Sequence, residues 1–323
     1  MKAITIGEDA SLNWSSVPDP ELNSGEVLIE IAASAINRAD LMQRRGLYPP
    51  PAGASPIMGL ECAGTVVRVS DGVRRFKAGD AVCALLAGGG YAEKVAVDQG
   101  SVLPVPAGLT LPEAASLPEV YATAWLNLFT EAGLKPGEKV ILHAGASGVG
   151  TAAIQLCKAF GSPSFVTAGN DEKLAVCQVL GATEGFNRHN GSFLQAAKQF
   201  SGAGGVDVIL DPVGGAYLQD NLEALGLYGR LVLIGLMGGS STEINLGQLT
   251  VKRLRVIGST LRARSLLEKT AIIGDLQEKV WPKIASGEIK PVVDKVYPLQ
   301  DVAEAQDWVA SDKTIGKVVL INS

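Results

Sequence analysis

The stretch from Val140 to Phe160 constrains this chain more than any other. Val140-Ile-Leu-His143 reads as a short buried strand, Ala144-Gly145-Ala-Ser147-Gly148-Val149-Gly150 as a glycine turn, and Thr151 to Phe160 as a helix with its apolar face at Val149, Ala152, Ala153, Leu156 and Phe160. From Lys139 to Ser259 the same alternation continues. Strands are predicted at 140–143, 164–167, 184–186, 206–210, 230–234 and 255–258, with helices in most of the gaps. That makes two βαβαβ halves, the doubly wound α/β arrangement with a parallel sheet.

The flanks have another character. Up to about Gly108, strands are predicted at 27–31, 64–69, 81–86 and 91–97, with breakers at Gly25, Gly72, Gly79-Asp80 and Gly88-Gly89-Gly90, which suits a compact β-barrel. Thr110-Leu-Pro-Glu113 has the form of a helix start, and a helical region follows to about Ala132. A helix around 265–286 and strands at 292–293 and 317–321 return to the first lobe. A chain of 323 residues exceeds what one core usually supports. The expected domains are 1–122 with 262–323, and 123–261.

A net charge of -5 and a pI near 5.3 argue against nucleic acid and against an anionic membrane surface, leaving a small molecule as the expected partner. The uncharged run 140–157 approaches spanning length, but its glycines, His143 and hydroxyls make poor membrane material. The start, MKAITIGEDASLNW, has no apolar stretch before Glu8 and Asp9, so a cytoplasmic protein is expected. Cys62, Cys83, Cys157 and Cys177 form no CxxC pair and read as reduced core thiols.

A glycine turn between a strand and a helix brings backbone N–H groups close to an anion, and the helix adds about half a positive charge at its N-terminus. Ala144, Gly145, Ser147, Gly148, Val149 and Gly150 are therefore the candidates to hold a dinucleotide pyrophosphate, although Ser147 stands where the middle glycine of GxGxxG would be. The second strand runs out at Ala168-Gly169-Asn170 without the carboxylate that grips a ribose 2′-hydroxyl, while Lys173 and Arg188 could meet a 2′-phosphate. This favours NADPH over NADH. Asp171 and Glu172 pull the other way unless they serve only to cap the next helix.

Over nearly its full length the chain resembles the medium-chain dehydrogenases, and among them the zinc-free, zeta-crystallin-like quinone oxidoreductases, with the stress-inducible quinone reductase branch the nearest in pattern. The resemblance is carried by Ala33-Ser-Ala-Ile-Asn37-Arg-Ala-Asp40-Leu-Met-Gln-Arg44, Gly59-Leu60-Glu61-Cys-Ala-Gly64, Gly79-Asp80, the glycine turn, Asp211-Pro-Val-Gly-Gly215 and Gly235-Leu-Met-Gly-Gly239. It implies a Rossmann domain plus a GroES-like β-barrel catalytic domain. Where the alcohol dehydrogenases of the superfamily place a Cys and a His on catalytic zinc, this chain has Asn37 and Leu60, so no metal is expected. Without a Lewis acid, an acceptor that spreads its own charge, a quinone or conjugated carbonyl compound, is the expected substrate. Asn37 is implied to hydrogen-bond the nicotinamide ribose or the substrate oxygen. Tyr48, on a loop the family uses over the active site, is able to stack on a quinone and to donate a hydrogen bond. Asp40 and Arg44 are read as structural. Gly235, Leu236 and Met237 are implied to line the nicotinamide pocket, with Ser259 and Leu261 along the neighbouring strand end. Pairing of the strand at 255–258 edge to edge would give a homodimer. Two alternatives stand beside quinone reduction: an enone or 2-alkenal reductase, and an NADPH-binding sensor without turnover.

Overall fold

The computed structural model describes residues 1–322. The chain divides into two compact units, Met1–Ala122 with the segment from Leu261 onward, and Thr123–Thr260. Leu261 thus begins the return of the chain to the first unit.

The second unit is a parallel sheet in the order Glu184–Asn187, Ser164–Ala168, Val140–Leu142, Val206–Asp211, Leu225–Leu233, Arg255–Gly258. In sequence order that is 3-2-1-4-5-6, the doubly wound topology. Strands covered on both faces lose the polar–apolar alternation, and Val140, Ile141 and Leu142 are all buried. On one face Ile141, Phe165, Ile209 and Leu231 pack with Phe193 and Phe200 from the connecting segments. Trimming Ile141 or Ile209 to Ala there would cost about 2–5 kcal/mol. The fifth strand begins at Leu225, earlier than predicted. Its pairing with Val206 at Leu225 is interrupted and resumes with Val208 opposite Arg230, across an irregularity in which Tyr228 takes φ 62. Gly226 and Gly229 lie in this irregular stretch, where a Cβ would meet Gly204 O and the Leu225 side chain.

The first unit holds a seven-stranded sheet in the order Val293–Pro298, Lys317–Ile321, Glu26–Ala35, Glu61–Val69, Ala81–Leu85, Val102–Pro104, with Lys94–Asp98 also on Glu26–Ala35. This is the GroES-like domain. The strand Glu26–Ala35 pairs with three others because register shifts near Leu28/Ile29 and Ile31/Ala33 bend it. Its alternate residues Val27, Ile29 and Ile31 face a core with Val66, Val82 and Val95. The helical region after Thr110 is two helices, Leu111–Ala114 and Pro118–Trp125, followed by a π-helical turn, Leu126–Glu131. Pro118 has no N–H and disfavours helical backbone before it, so the break falls there. The hairpin Lys2–Ile6/Leu12–Ser16 and the helix Val302–Ala310 lie outside the predicted elements. That helix makes the crossover that parallel pairing of Val293–Pro298 with Lys317–Ile321 requires. No helix among the described residues is long and apolar enough to cross a membrane.

Candidate functional site

In the second unit every candidate segment follows the carboxyl end of a strand. The glycine turn follows Leu142, Gly169 follows Ala168, the loop from Pro212 follows Asp211, Gly235 comes just after Leu233, and Ser259 follows Gly258. Ligands bind at this edge of doubly wound sheets, where the strand order reverses.

The turn itself separates into two kinds of glycine. A Cβ at Gly150 would collide with the carbonyl oxygens of Ala144 and Gly145, and one at Gly145 would lie 2.8 Å from Val166 Cβ. Both are glycines because the turn folds back on its own sheet and helix, with Ala144 held at φ 54. Ser147 caps the helix Gly148–Ala159, its Oγ accepting from Gly150 N at 3.1 Å. The middle-glycine substitution is therefore a capping residue. Ser147 is exposed and Gly148 and Val149 half-buried, so these three face outward at the helix N-terminus.

At the tip of the second strand, a Cβ on Gly169 would come within 3.5 Å of Arg188 Nε and 3.6 Å of Nη2. The guanidinium thus lies over the place where a ribose-binding carboxylate would stand. Asn170 caps the next helix, Asp171–Leu180, by accepting from Lys173 N at 2.8 Å. Capping thus falls to Asn170, and neither Asp171 nor Glu172 supplies it. Asp171 instead accepts from Asn187 Nδ2 at 2.9 Å.

The loops 211–215 and 235–239 are zipped together: Met237 N donates to Pro212 O (3.2 Å), Gly238 N to Val213 O (2.7 Å) and Gly215 N to Gly239 O (2.9 Å). Gly235 has no room for a side chain, because a Cβ would meet Pro212 O at 2.8 Å. Leu236 and Met237 are left 55% and 48% exposed, unusual for large apolar residues beside a tight loop. Ser259 Oγ is buried with no partner among the described residues, whereas Leu261 is buried in the first unit.

Beneath these loops runs a chain of buried polar groups for which sequence patterns gave no sign. His143 Nδ1 lies 3.0 Å from Thr167 Oγ1, and Nε2 lies 2.7 Å from Asn221 Oδ1. Asn221 Nδ2 donates to Asp211 Oδ2 (2.9 Å), and Asp211 accepts from Val213 N (2.5 Å) and Gly214 N (3.2 Å). Because Asn221 turns its amide nitrogen to Asp211, its oxygen faces the histidine, which assigns the proton to Nε2. Burial holds the His143 pKa below its usual value, partly offset by the Asp211 charge. The neutral ring ties three strand ends together.

The first unit carries a second constellation. Asn37, just before the helix Arg38–Arg44, donates through Nδ2 to Glu61 Oε1 (3.0 Å) and accepts through Oδ1 from Lys317 Nζ (2.7 Å). Lys317 Nζ also lies 2.7 Å from Glu61 Oε1 and donates to Ile36 O at 2.7 Å. The ion pair is sealed, with the side chains 5% and 0% exposed. An ammonium thus sits on the residue that replaces the metal-ligand cysteine, while Leu60 is buried in the neighbouring apolar core. Asn37 binds inside its own unit with both ends of its amide. Glu61 Oε2 accepts from Glu119 N at 2.9 Å. Asp40 is buried, accepting from Asn37 N (2.8 Å), Tyr91 OH (2.9 Å) and Gly59 N (3.2 Å), with burial pushing its pKa up to about 6.

Tyr48 is half-buried, and its pKa is raised by burial and by the Glu119 charge. It is pinned by Arg262, whose guanidinium lies 5.4 Å from the ring centroid and donates to Tyr48 O (3.2 Å), Ala87 O (2.8 Å) and Gln43 Oε1 (2.8 Å). Arg44 contacts Ala10 O and Gln306, a structural role. Among the described residues no group of three or more His, Cys, Asp or Glu could hold a metal ion. All four cysteines are free and buried.

Residues 23–107 match the alcohol dehydrogenase GroES-like domain, and residues 148–273 match the family described as zinc-binding dehydrogenase. The quinone oxidoreductase of Rattus norvegicus is 33% identical over 99% of this chain and 98% of its own length. The Escherichia coli quinone oxidoreductase complexed with NADPH superimposes with a TM-score of 0.86 at 30% identity, covering 99% of this chain and 98% of that one. CurK enoyl reductase does so with a TM-score of 0.85 at 28% identity, covering 100% and 99%. The chain belongs to the medium-chain dehydrogenase/reductase superfamily, within its quinone oxidoreductase-like family. It is an oxidoreductase of that class, and a nicotinamide cofactor fits the turn and strand tips described above.

Proposed function

We propose that this protein is an NADPH-dependent, zinc-independent reductase of quinones, ortho-quinones in particular. The observation that carries the cofactor choice is the Arg188 guanidinium over Gly169, a cation at the strand tip where NAD-binding proteins place an acid. The E. coli relative is described as complexed with NADPH, which supports the same choice. When bound, the cofactor supplies hydride from C4 of the nicotinamide. The chain's own part is to seat the pyrophosphate on Ser147, Gly148 and Val149, hold the 2′-phosphate with Arg188 and Lys173, and bound the nicotinamide with Gly235, Leu236, Met237 and Ser259. Tyr48, fixed by Arg262, offers a ring face and a phenol to the acceptor. Asn37 acts from within the Glu61–Lys317 network, its amide oriented by the two of them.

A quinone fits because its reduced anion is already delocalised and asks for no metal. The test is steady-state oxidation of NADPH and NADH with ortho-quinones and with 2-alkenals. Preferred turnover of NADPH with quinones is expected. The likeness to CurK enoyl reductase supports a second reading, saturation of a conjugated C=C bond, and preference for 2-alkenals without quinone turnover would establish it instead. Cofactor binding with no acceptor reduced at all would point to a sensor. Four buried thiols suit a cytoplasmic setting. The edge strand Arg255–Gly258, with its own Val256 exposed and Leu246 and Val251 exposed on the helix before it, suits a homodimer.

A further inference from the structure

We propose that Glu119 is the proton donor of the reaction, a neutral carboxylic acid that protonates the oxyanion left on the acceptor after hydride transfer. The inference rests on the reductase reading above.

Glu119 stands in the first turn of the helix Pro118–Trp125 and is anchored by its amide on Glu61 Oε2. Its own Oε2 is shut off from solvent and has no hydrogen-bond partner, one of few such side-chain atoms among the described residues. A buried carboxylate oxygen with no donor is costly, and protonation relieves that cost. The charged groups that act on it come from several elements. Glu61, from the strand Glu61–Val69, and Asp40, from the helix Arg38–Arg44, disfavour a further negative charge. Lys317 and Lys269 favour one, but Lys317 is bound to Glu61, Ile36 and Asn37, and Lys269 donates to Arg262 O at 2.7 Å. Tyr48, whose phenol feels the Glu119 charge, and Arg262, stacked on the Tyr48 ring, interact with Glu119 as well. Burial leads the balance and lifts the Glu119 pKa to about 8, where an acid both holds its proton at neutral pH and gives it up readily.

The step balances without another reagent. Hydride brings two electrons to the quinone and leaves a hydroquinone monoanion. The Glu119 O–H bond breaks with its electrons staying on the carboxylate, an O–H bond forms on the product, and solvent reprotonates the partly exposed side chain.

The test is the pH profile of NADPH-dependent quinone reduction by wild type, E119Q and E119D, with NADPH affinity followed by fluorescence. Wild-type kcat should fall with rising pH around a midpoint near 8. E119Q should bind NADPH as wild type does, yet lose roughly 100-fold or more in kcat together with that limb, and E119D should retain the limb. An E119Q enzyme with the wild-type rate and limb overturns the proposal and leaves the reductase reading intact. Wild type inert toward quinones and 2-alkenals alike overturns both. Should E119Q fail to fold, a wild-type kcat that is flat through this range overturns the proposal on its own.

Discussion

The glycine turn of the second unit and the charge cluster of the first are built on opposite plans. The turn is made of backbone: its strand, bend and helix are contiguous, and what each position needs is the absence of a side chain or a short cap. The cluster is made of side chains that are distant in sequence, Asn37 meeting Lys317 across 280 residues, with Glu61 and Glu119 contributed by two further elements. A backbone site tolerates surface change and fails on a single methyl group. A buried charge site tolerates isosteric change and fails on the loss of one charge.

The largest expected effect follows from that difference. Lys317→Ala leaves Glu61 fully buried without its counter-charge, and the folded state should lose about 3–5 kcal/mol in urea unfolding. Adding Glu61→Gln removes the orphaned charge and should recover more than half of the loss. Full stability of Lys317→Ala alone would show the cluster to be solvated and would dissolve the contrast.

In the turn, Gly150→Ala sets a Cβ against two carbonyl oxygens and should cost about 1–3 kcal/mol along with NADPH binding. Gly148→Val, at the half-exposed start of the helix, should abolish NADPH binding while the unfolding midpoint moves little. If both variants lose stability equally, the division into packing glycines and an approach glycine is wrong.

The same contrast explains what sequence could reveal. Six parallel strands, the glycine turn and the cap pair Thr110/Glu113 are local patterns, and each appears in the structure. The substitutions Asn37 and Leu60 told what is missing at the metal positions, but not what fills the space. Lys317 lies in a strand that reads as apolar, Arg262 just past the second unit, and His143 in an apolar run, so nothing in their neighbourhoods signals the partners they find. The Gly59-Leu-Glu61 triplet carried the family resemblance without giving Glu61 a role, and Glu119 had no signal beyond following a proline. Chain topology, not local periodicity, brings these groups together.

A smaller effect tests the strand tip. Arg188→Ala should weaken NADPH about 10- to 100-fold, roughly 1.4–2.7 kcal/mol, and leave NADH unchanged. Equal losses for both cofactors would mean that Arg188 supports the fold of the Gly169 tip and does not read the 2′-phosphate.

The smallest effect is also the most direct comparison of the two regions, because Asp40 and Glu119 in the first shift in the opposite sense to His143 in the second. Burial raises Asp40 from 3.8 to about 6 and Glu119 from 4.5 to about 8, so the folded first unit holds these protons more tightly than the unfolded chain does. Their contribution to stability is complete below the unfolded values and is lost as pH rises through the folded ones. His143 is lowered from 6.5 by burial, so its contribution is present above 6.5 and lost as pH falls. Asp211, raised by burial, acts in the sense of Asp40 from 3.8 upward and opposes the histidine. Hydrogen exchange read peptide by peptide while pH is lowered from 6.5 to about 5 should therefore show protection rising around Asn37–Glu61 and Glu119 after correction for intrinsic exchange. Protection around His143 and Asn221 should fall over the same interval. Movement of both regions in one direction would mean that a single global opening governs exchange, and that the two buried networks do not set local stability separately.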